Sequence, residues 1–190
     1  MEREKDYLTE LDNAIADGDH GINMARGFAA VEKRLPELAG KDVGTVLKTV
    51  GMTLVSAVGG SAGPLYGTAF MKSGMATAGK ETLTLDDLLS CLRVSIEGIM
   101  QRGKAVRGEK TMLDAMIPAL DAMEEAQQNG LSAPDILRRG TAAAWEGVEY
   151  TAAIAATKGR ASYIGARSIG HRDPGAVSFT CLLEEIAAAI

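Results

Sequence analysis

Apolar positions recur along the chain at intervals of three and four residues, the spacing that lines one face of an α-helix. Eight such stretches follow one another. The first covers Tyr7–Ala16. The second runs from Asn23 to about Leu35, with Ile22, Phe28, Val31 and Leu35 on its stripe, and ends at Pro36 and Gly40. The third, Asp42–Ala57, sets Val43, Val46, Leu47, Val50, Leu54 and Val58 on one side. The fourth has Pro64 in its first turn and reaches about Gly79. Thr84 caps a fifth carrying Leu85, Leu88, Leu89, Leu92, Ile96 and Ile99. Met112 opens a sixth with Leu113, Met116, Ile117, Leu120 and Met123, closed by Asn129-Gly130. Ser132-Ala133-Pro134 starts an alanine-rich seventh to about Thr157, and Asp173-Pro174-Gly175 opens the last, Ala176–Ile190. No stretch shows the two-residue alternation of a half-buried strand, and no repeat or linker divides the chain. The pattern predicts an all-α antiparallel bundle of eight helices forming one domain over residues 1–190.

The breaks between these stretches carry the chemistry. Between the first two helices, Asp12, Asp17 and Asp19 fall within eight residues, with Gly18 and Gly21 around the last of them. If the first helix stops near Ala16, Asp17 and Asp19 fold back toward Asp12, and Asn23 caps the next helix. Crowded carboxylates repel unless a cation lies between them, and hard oxygen ligands suit Mg²⁺. The competing reading is a solvated acidic turn. The spacing is not that of an EF-hand. Val58–Gly67 holds four glycines, Ser61 and Pro64, either a phosphate cradle opening a helix or a tight helix crossing; it is not a Walker A loop. Gln101–Thr111 is basic and broken by glycine, either a solvated connector or a cover over a nucleotide. Lys158–Pro174 has no helical period but holds Lys158, Arg160, Arg167, His171 and Arg172, with Tyr163 and two isoleucines to anchor it. A cationic ordered loop in an acidic protein points to a phosphate partner.

In an antiparallel bundle, alternate connections lie at the same end. The acidic turn follows the first helix, the glycine stretch the third, the basic loop the fifth and the Lys158 segment the seventh. All four therefore fall at one end, where carboxylates, glycine amides and cations would form a magnesium-nucleotide site. Chemistry there would be phosphoryl transfer, in which positioning and charge neutralisation do most of the work. No protein nucleophile stands beside a base, and no Ser-His-Asp or Cys-His set is present.

Composition narrows this further. Aromatic residues make up 4% of a chain that is 46% hydrophobic, so the core is built from Ala, Leu and Met, which favour helices. A net charge of −5 and a pI near 5.1 argue against nucleic acid as the partner. Cys91 and Cys181 have no metal or redox spacing and read as core thiols of a reducing compartment. Trp145 reads as core or interface rather than a stacking platform. The charged Met1–Asp6 stretch is no signal peptide, and no apolar run is long enough to span a membrane, so a cytoplasmic location is expected.

The motifs Leu11-Asp12…Asp17-Gly18-Asp19-His20-Gly21-Ile22-Asn23-Met24, Gly59-Gly60-Ser61-Ala62-Gly63-Pro64-Leu65-Tyr66-Gly67, Arg102-Gly103-Lys104, Lys110-Thr111-Met112-Leu113-Asp114 and Lys158–Ala176, taken in order, resemble the DhaL family. This is the nucleotide-binding subunit of dihydroxyacetone kinase, similar to the C-terminal domain of the ATP-dependent one-chain enzymes. The resemblance implies an eight-helix barrel-like bundle with ADP or ATP and two Mg²⁺ ions at one end. It makes Asp12, Asp17 and Asp19 the Mg²⁺ ligands. It places His20, Gly21, Ile22 and Asn23 along the phosphates, and Ser61 and Ala62 in the phosphate-contacting glycine loop. Gly103 and Met112 help form the adenine pocket, and Arg160 with Asp173-Pro174-Gly175 closes over the nucleotide. In the phosphotransferase-system branch ADP stays bound. A DhaM-type protein rephosphorylates it in place, and the γ-phosphate passes to dihydroxyacetone on a histidine of a DhaK-type subunit, a step of glycerol metabolism. The alternatives are an ATP-dependent keto-sugar kinase subunit with exchangeable nucleotide, and an ADP-loaded module that signals to a transcription regulator. Relatives begin with a further helix before the stretch matching Tyr7, so the first helix is expected to be short or trimmed here.

Overall fold

A computed structural model describes residues Met1–Ile190 and contains helices and turns but no strand. The eight helices are α1 (Lys5–Ile15), α2 (His20–Arg34), α3 (Val43–Ala57), α4 (Ala62–Ala76), α5 (Leu85–Gly103), α6 (Leu113–Gln128), α7 (Ala133–Ala153) and α8 (Pro174–Ala188). Two 3-10 segments, Leu35–Leu38 and Arg160–Ser168, lie between them. Each periodic stretch is thus one helix, in the expected order. Several starts obey the side-chain rule for orphan N–H groups. Asp42 accepts from Thr45 N, Ser132 from Asp135 N and Asp173 from Ala176 N, while Thr84 and Asp87 cap each other reciprocally.

Three expectations need correction. First, α2 starts at His20, so Asn23 lies inside the helix and does not cap it. The first N–H groups are met from outside instead, by a carboxylate of α1 described below. With the start moved, the buried face of α2 carries Met24, Ala25 and Val31, while Ile22 and Leu35 are exposed. Second, α4 begins at Ala62 with Pro64 in its first turn as expected, so the connection before it is limited to Val58–Ser61 and the rest of the glycine stretch is helix. Third, Lys158–Pro174 is not irregular: Arg160–Ser168 winds as 3-10 turns with a kink at Gly165, and α7 ends at Ala153 rather than Thr157.

The chain forms two compact units, one of Met1–Gly21 with Ala105–Ile190, the other of Ile22–Lys104. In the first, α6 packs along α7, α8 lies against both, and α1 rests on α8 and on the 3-10 segment. Its core holds Leu8, Ile15, Leu113, Met116, Met123, Ile136, Leu137, Val148, Val177 and Leu183. Burying each such side chain contributes about 1.5–3 kcal/mol before chain entropy is subtracted. Trp145 is half-buried, its Nε1 donating to Glu184 Oε1 at 2.7 Å. Cys181 is also half-buried, and Cys91, in the second unit, is buried; both are free thiols.

In the second unit α4 packs on α3 and on α5. The α3–α4 pair meets backbone to backbone. A Cβ on Gly51 would lie 2.7 Å from Gly67 O, and one on Gly67 would lie 2.9 Å from Gly51 O; Gly44 and Gly74 oppose each other in the same way. Between α4 and α5, Ser73 Oγ and Ser95 Oγ lie 3.0 Å apart, and Ser95 Oγ donates to Ala69 O. Phe28 and Phe70 meet edge to face at 6.4 Å, joining α2 to α4. No helix is long and apolar enough to cross a membrane.

Candidate functional site

The first unit brings the three carboxylates together. Helix α1 ends as Ala16 N donates to Asp12 O at 2.6 Å. The chain then reverses at Gly18, whose φ is +72° and where a Cβ would lie 1.9 Å from Asn13 Oδ1. Only glycine fits that turn without displacement. The reversal returns Asp19 to Asp12, and oxygens of Asp12, Asp17 and Asp19 all lie within 4.8 Å of one another. Asp12 is buried, Asp19 half-buried and Asp17 exposed. Asp12 Oδ2 accepts from Asp19 N at 2.8 Å and His20 N at 3.1 Å, so this carboxylate is also the external cap of α2. Two carboxylates about 4 Å apart repel by about 1 kcal/mol in water and about 4 kcal/mol at an effective dielectric of 20. Three oxygen donors at this spacing, one of them fixed by two N–H groups, fit a hard divalent cation such as Mg²⁺. Arg160, from the 3-10 segment, forms an ion pair with Asp17.

His20 follows directly. Its Nε2 lies 2.9 Å from Ser178 Oγ, which in turn donates to Gly175 O at 3.1 Å. A hydroxyl has one proton, so Nε2 is the donor and the ring is held as that tautomer. Burial pushes the His20 pKa down, against the opposing pull of Asp12 and Asp19, so the imidazole is neutral. Gly21 lies where a Cβ would come 2.1 Å from Lys5 O, which sets the start of α2 tightly on α1.

The start of α8 forms the next wall. Pro174 is buried, and Gly175 lies over Met112, whose Cβ is 3.5 Å from where a glycine Cβ would be. Met112 is itself buried. Asp173 caps α8, and its carboxyl is pushed up to about 7, chiefly by burial. The bond from Ala176 N and the charge of Lys110 oppose the rise, while Asp114 and Asp12 add to it.

The segment leading to α8 is a strap whose middle is exposed at Tyr163 and buried at Ala161 and Ser168. Ile164 packs on Ile15, Ala156 and Ala161. Tyr163 is 87% exposed and Ile169 49% exposed, so neither anchors the strap as the sequence suggested. Near its end Arg172 reaches Tyr7 OH at 2.9 Å and Glu149 at 2.6 Å.

The second unit carries the remaining predicted residues. Asn23 is buried beside the turn between α3 and α4: Arg26 donates to Asn23 Oδ1 at 2.7 Å and to Ala57 O at 2.9 Å, and Gly59 lies against the Asn23 amide. Gly60 takes φ +63°. Ser61 stands at the N-cap of α4 without a side-chain capping bond, which leaves the first N–H groups of the helix, Ala62 onward, open to an outside acceptor. The glycine stretch therefore divides between its two readings. Gly60 alone faces open space, while Gly63 and Gly67 serve helix crossing, a Cβ on Gly63 striking Val58 O at 2.3 Å. Ile22 points to solvent, and Gly103 is exposed at the end of α5.

The sequence missed Arg26, Ser178 and the setting of Lys110. Arg26 was readable as the i+3 neighbour of Asn23 once both lie on one helix. The pairing of His20 with Ser178 spans 158 residues and has no local signal. Lys110, part of the basic loop read as either a solvated connector or a cover over a nucleotide, is 1% exposed.

Comparison with known proteins agrees with the resemblance seen in the motifs. The DAK2 domain model matches residues 14–188. The chain is 45% identical over 186 residues to the Escherichia coli (strain K12) PEP-dependent dihydroxyacetone kinase, ADP-binding subunit DhaL, covering 98% of this chain and 89% of that protein. It is 42% identical over 190 residues to the PTS-dependent dihydroxyacetone kinase, ADP-binding subunit DhaL, of Lactococcus lactis, covering 100% and 91%. Among solved structures, the dihydroxyacetone kinase from C. freundii in complex with AMP-PNP and Mg²⁺ matches with a TM-score of 0.71 and 23% identity. That match covers 100% of this chain and 31% of the other, and it shows the helical fold. The chain belongs to the DAK2-domain family, in its group of DhaL subunits.

Proposed function

We propose that this chain is the nucleotide-holding subunit of a phosphotransferase-system-linked dihydroxyacetone kinase, acting in the cytoplasm as one DhaL-type domain. It binds ADP or ATP with two Mg²⁺ ions and passes the γ-phosphate to dihydroxyacetone carried by a DhaK-type subunit. A DhaM-type phosphoprotein regenerates the triphosphate without release of ADP. The observation that carries this reading is the acidic turn. Asp12, Asp17 and Asp19 converge within 4.8 Å at a glycine-enforced reversal, more carboxylate charge than the one Arg160 guanidinium on Asp17 offsets. The ADP-binding name of the E. coli relative supports it, as does the AMP-PNP and Mg²⁺ of the C. freundii enzyme.

Mg²⁺ held by the three aspartates would neutralise and orient phosphate oxygens. The chain's own residues then position and balance charge. The two N–H bonds to Asp12 hold its carboxylate in place. Arg160, now paired with Asp17, supplies a cation for the phosphates. Neutral His20, fixed by Ser178, presents its imidazole beside them. Gly21, Ile22 and Asn23 offer backbone and amide groups along the same turn. The open N–H groups at Ser61 and Ala62 are assigned to phosphate, Gly103 and Met112 to adenine, and Asp173-Pro174-Gly175 to closure. No nucleophile on this chain is required, because the acceptor is carried by the partner.

The test is the nucleotide content of the purified protein before and after dialysis against EDTA. Near-stoichiometric ADP, lost with the metal, is expected. Empty protein that turns over added ATP with a DhaK-type partner would favour the exchangeable-ATP reading, and failure to bind any magnesium nucleotide would sink the assignment.

A further inference from the structure

Lys110 lies 1% exposed in the first unit, among the largest fully buried side chains of the protein. Lysine is almost never buried this fully, because its charge must find compensation inside. Its backbone is left-handed, with φ +60°, a conformation L side chains rarely adopt. The ammonium donates to three backbone carbonyls, those of Thr151, Ile154 (at 3.2 Å) and His171. Three N–H donors meet three acceptors, so the group has nothing left to offer a substrate. Burial pushes the Lys110 pKa down, and Asp173 and Asp114 oppose that shift.

The three carbonyls occupy telling places. Thr151 is in the last turn of α7 and Ile154 just past it, at the negative end of that helix, where carbonyls lack helical partners. His171 lies just before the start of α8. Ile154 and His171 are thus the two ends of the strap that carries Arg160. Other bonds gather at the same ends. Gly170 N donates to Ala152 O at 2.8 Å, Asp173 N to Thr151 Oγ1 at 2.9 Å, and Thr157 N to Glu109 O, next to Lys110, at 3.3 Å. Between the ends the strap is held by Ile164 on Ile15 and by buried Ser168, which accepts from Ala156 N at 2.8 Å, while Gly159 and Gly165 take positive φ and Tyr163 faces solvent.

We propose that Lys110 is a positioning residue, whose ammonium draws together the two ends of the 155–170 strap and thereby sets where Arg160 stands beside Asp17. Its effect on nucleotide rests on the function proposed above; its effect on the strap does not. The geometry explains why a cation is used at this point rather than an apolar side chain. One compact donor satisfies carbonyls from two chain segments at once, which a methyl group cannot.

The experiment compares full-length wild type, Lys110→Met, Lys110→Arg, Arg160→Ala and the Lys110→Met/Arg160→Ala double variant. Brief trypsin digestion, with fragments identified by mass, reads the strap at Lys158, Arg160 and Arg167 against Arg34 as an internal reference. Lys110→Met is expected to raise strap cleavage on the order of tenfold with Arg34 cleavage unchanged, and Lys110→Arg to fall between it and wild type. Mg-ADP titration then gives a double-mutant cycle. Each single variant is expected to weaken ADP on the order of tenfold, and the double variant no more than the weaker-binding single. Unchanged strap cleavage, equal acceleration at Arg34, or multiplying losses of affinity would each overturn the proposal. If Lys110→Met does not fold, the same comparison is made on Lys110→Arg. Unfolding of both variants would also overturn it, because Lys110 would then be a condition of folding. Unchanged ADP affinity in Arg160→Ala counts against the nucleotide role of Arg160 alone, since strap cleavage still judges Lys110.

Discussion

Helices α2 and α4 begin in opposite ways. At the start of α2 the protein supplies an acceptor of its own, Asp12 Oδ2, for the N–H groups of Asp19 and His20, whereas Ser61 gives α4 no side-chain cap. A helix start needs an acceptor, and a negative one gains from the dipole as well. At α2 the protein supplies that anion itself, and the same carboxylate belongs to the acidic cluster. At α4 the place is left to a solvent molecule or a ligand. The difference separates a helix start whose acceptor belongs to the proposed metal cluster from one with no side-chain acceptor of its own.

The comparison can be broken most strongly at Asp12. Asp12→Ala removes a proposed metal ligand and the cap together. In EDTA it should cost about 2 kcal/mol in urea unfolding. It should also abolish the stabilisation that Mg²⁺ gives wild type, about 2.7 kcal/mol at a hundredfold excess over its dissociation constant. Asp17→Asn separates the two roles, because Asp17 takes no part in the cap. Its unfolding in EDTA should stay within about 0.5 kcal/mol of wild type, while the Mg²⁺-dependent rise in Tm disappears. A large loss of stability in EDTA would show that Asp17 holds the fold and not the metal.

The open start of α4 is sharpened by closing it. Ser61→Asp places an internal anion at the N-cap and should raise thermal stability by about 0.5–1 kcal/mol. The same charge should weaken Mg-ADP on the order of tenfold in isothermal titration, since it competes with phosphate. Stabilisation without loss of affinity would remove α4 from the phosphate reading. The smallest effect is expected at α8, a third start, where the internal cap is a strained one. The Asp173 carboxyl is raised from 3.8 to about 7, so the folded state holds its proton more tightly than the unfolded chain. Between those values the unfolded chain binds fewer protons, so this contribution to stability falls as pH rises from about 4 to about 7 and is level above. Asp173→Asn keeps a capping oxygen and removes the titration. Its stability, measured in EDTA, should decline less than that of wild type across that window, by about 1 kcal/mol after allowance for solvent near the carboxyl.

The sequence made local features legible and distant ones not. Helical period located all eight helices, and Asp42, Thr84, Ser132 and Asp173 marked their starts because a cap lies within three residues of the N–H it serves. The acidic cluster was legible for the same reason, its members lying within one turn of chain. The start of α2 was not, since its acceptor belongs to the preceding helix and Asn23 offered a plausible local cap. The strap hid its order because its stabilising bonds run to Tyr7, Glu149, Ala152 and Lys110, none of them neighbours in sequence. Lys110 shows the limit most plainly. Charge and composition place a lysine outside, and only the meeting of three carbonyls brings it in.

The glycine contacts between α3 and α4 carry a consequence for how this part of the chain folds. Gly44, Gly51, Gly67 and Gly74 each lower helix stability by about 1 kcal/mol relative to alanine, and neither helix recovers that alone. What offsets it is the close approach of the two backbones, which exists only once both are formed. Secondary structure and docking are therefore a single cooperative event in this pair. The α6–α7 pair relies on docking in the same way: α6 carries Pro118 in its interior, and a Cβ on Gly140 or Gly147 of α7 would strike Met123 or Asp114 O of α6.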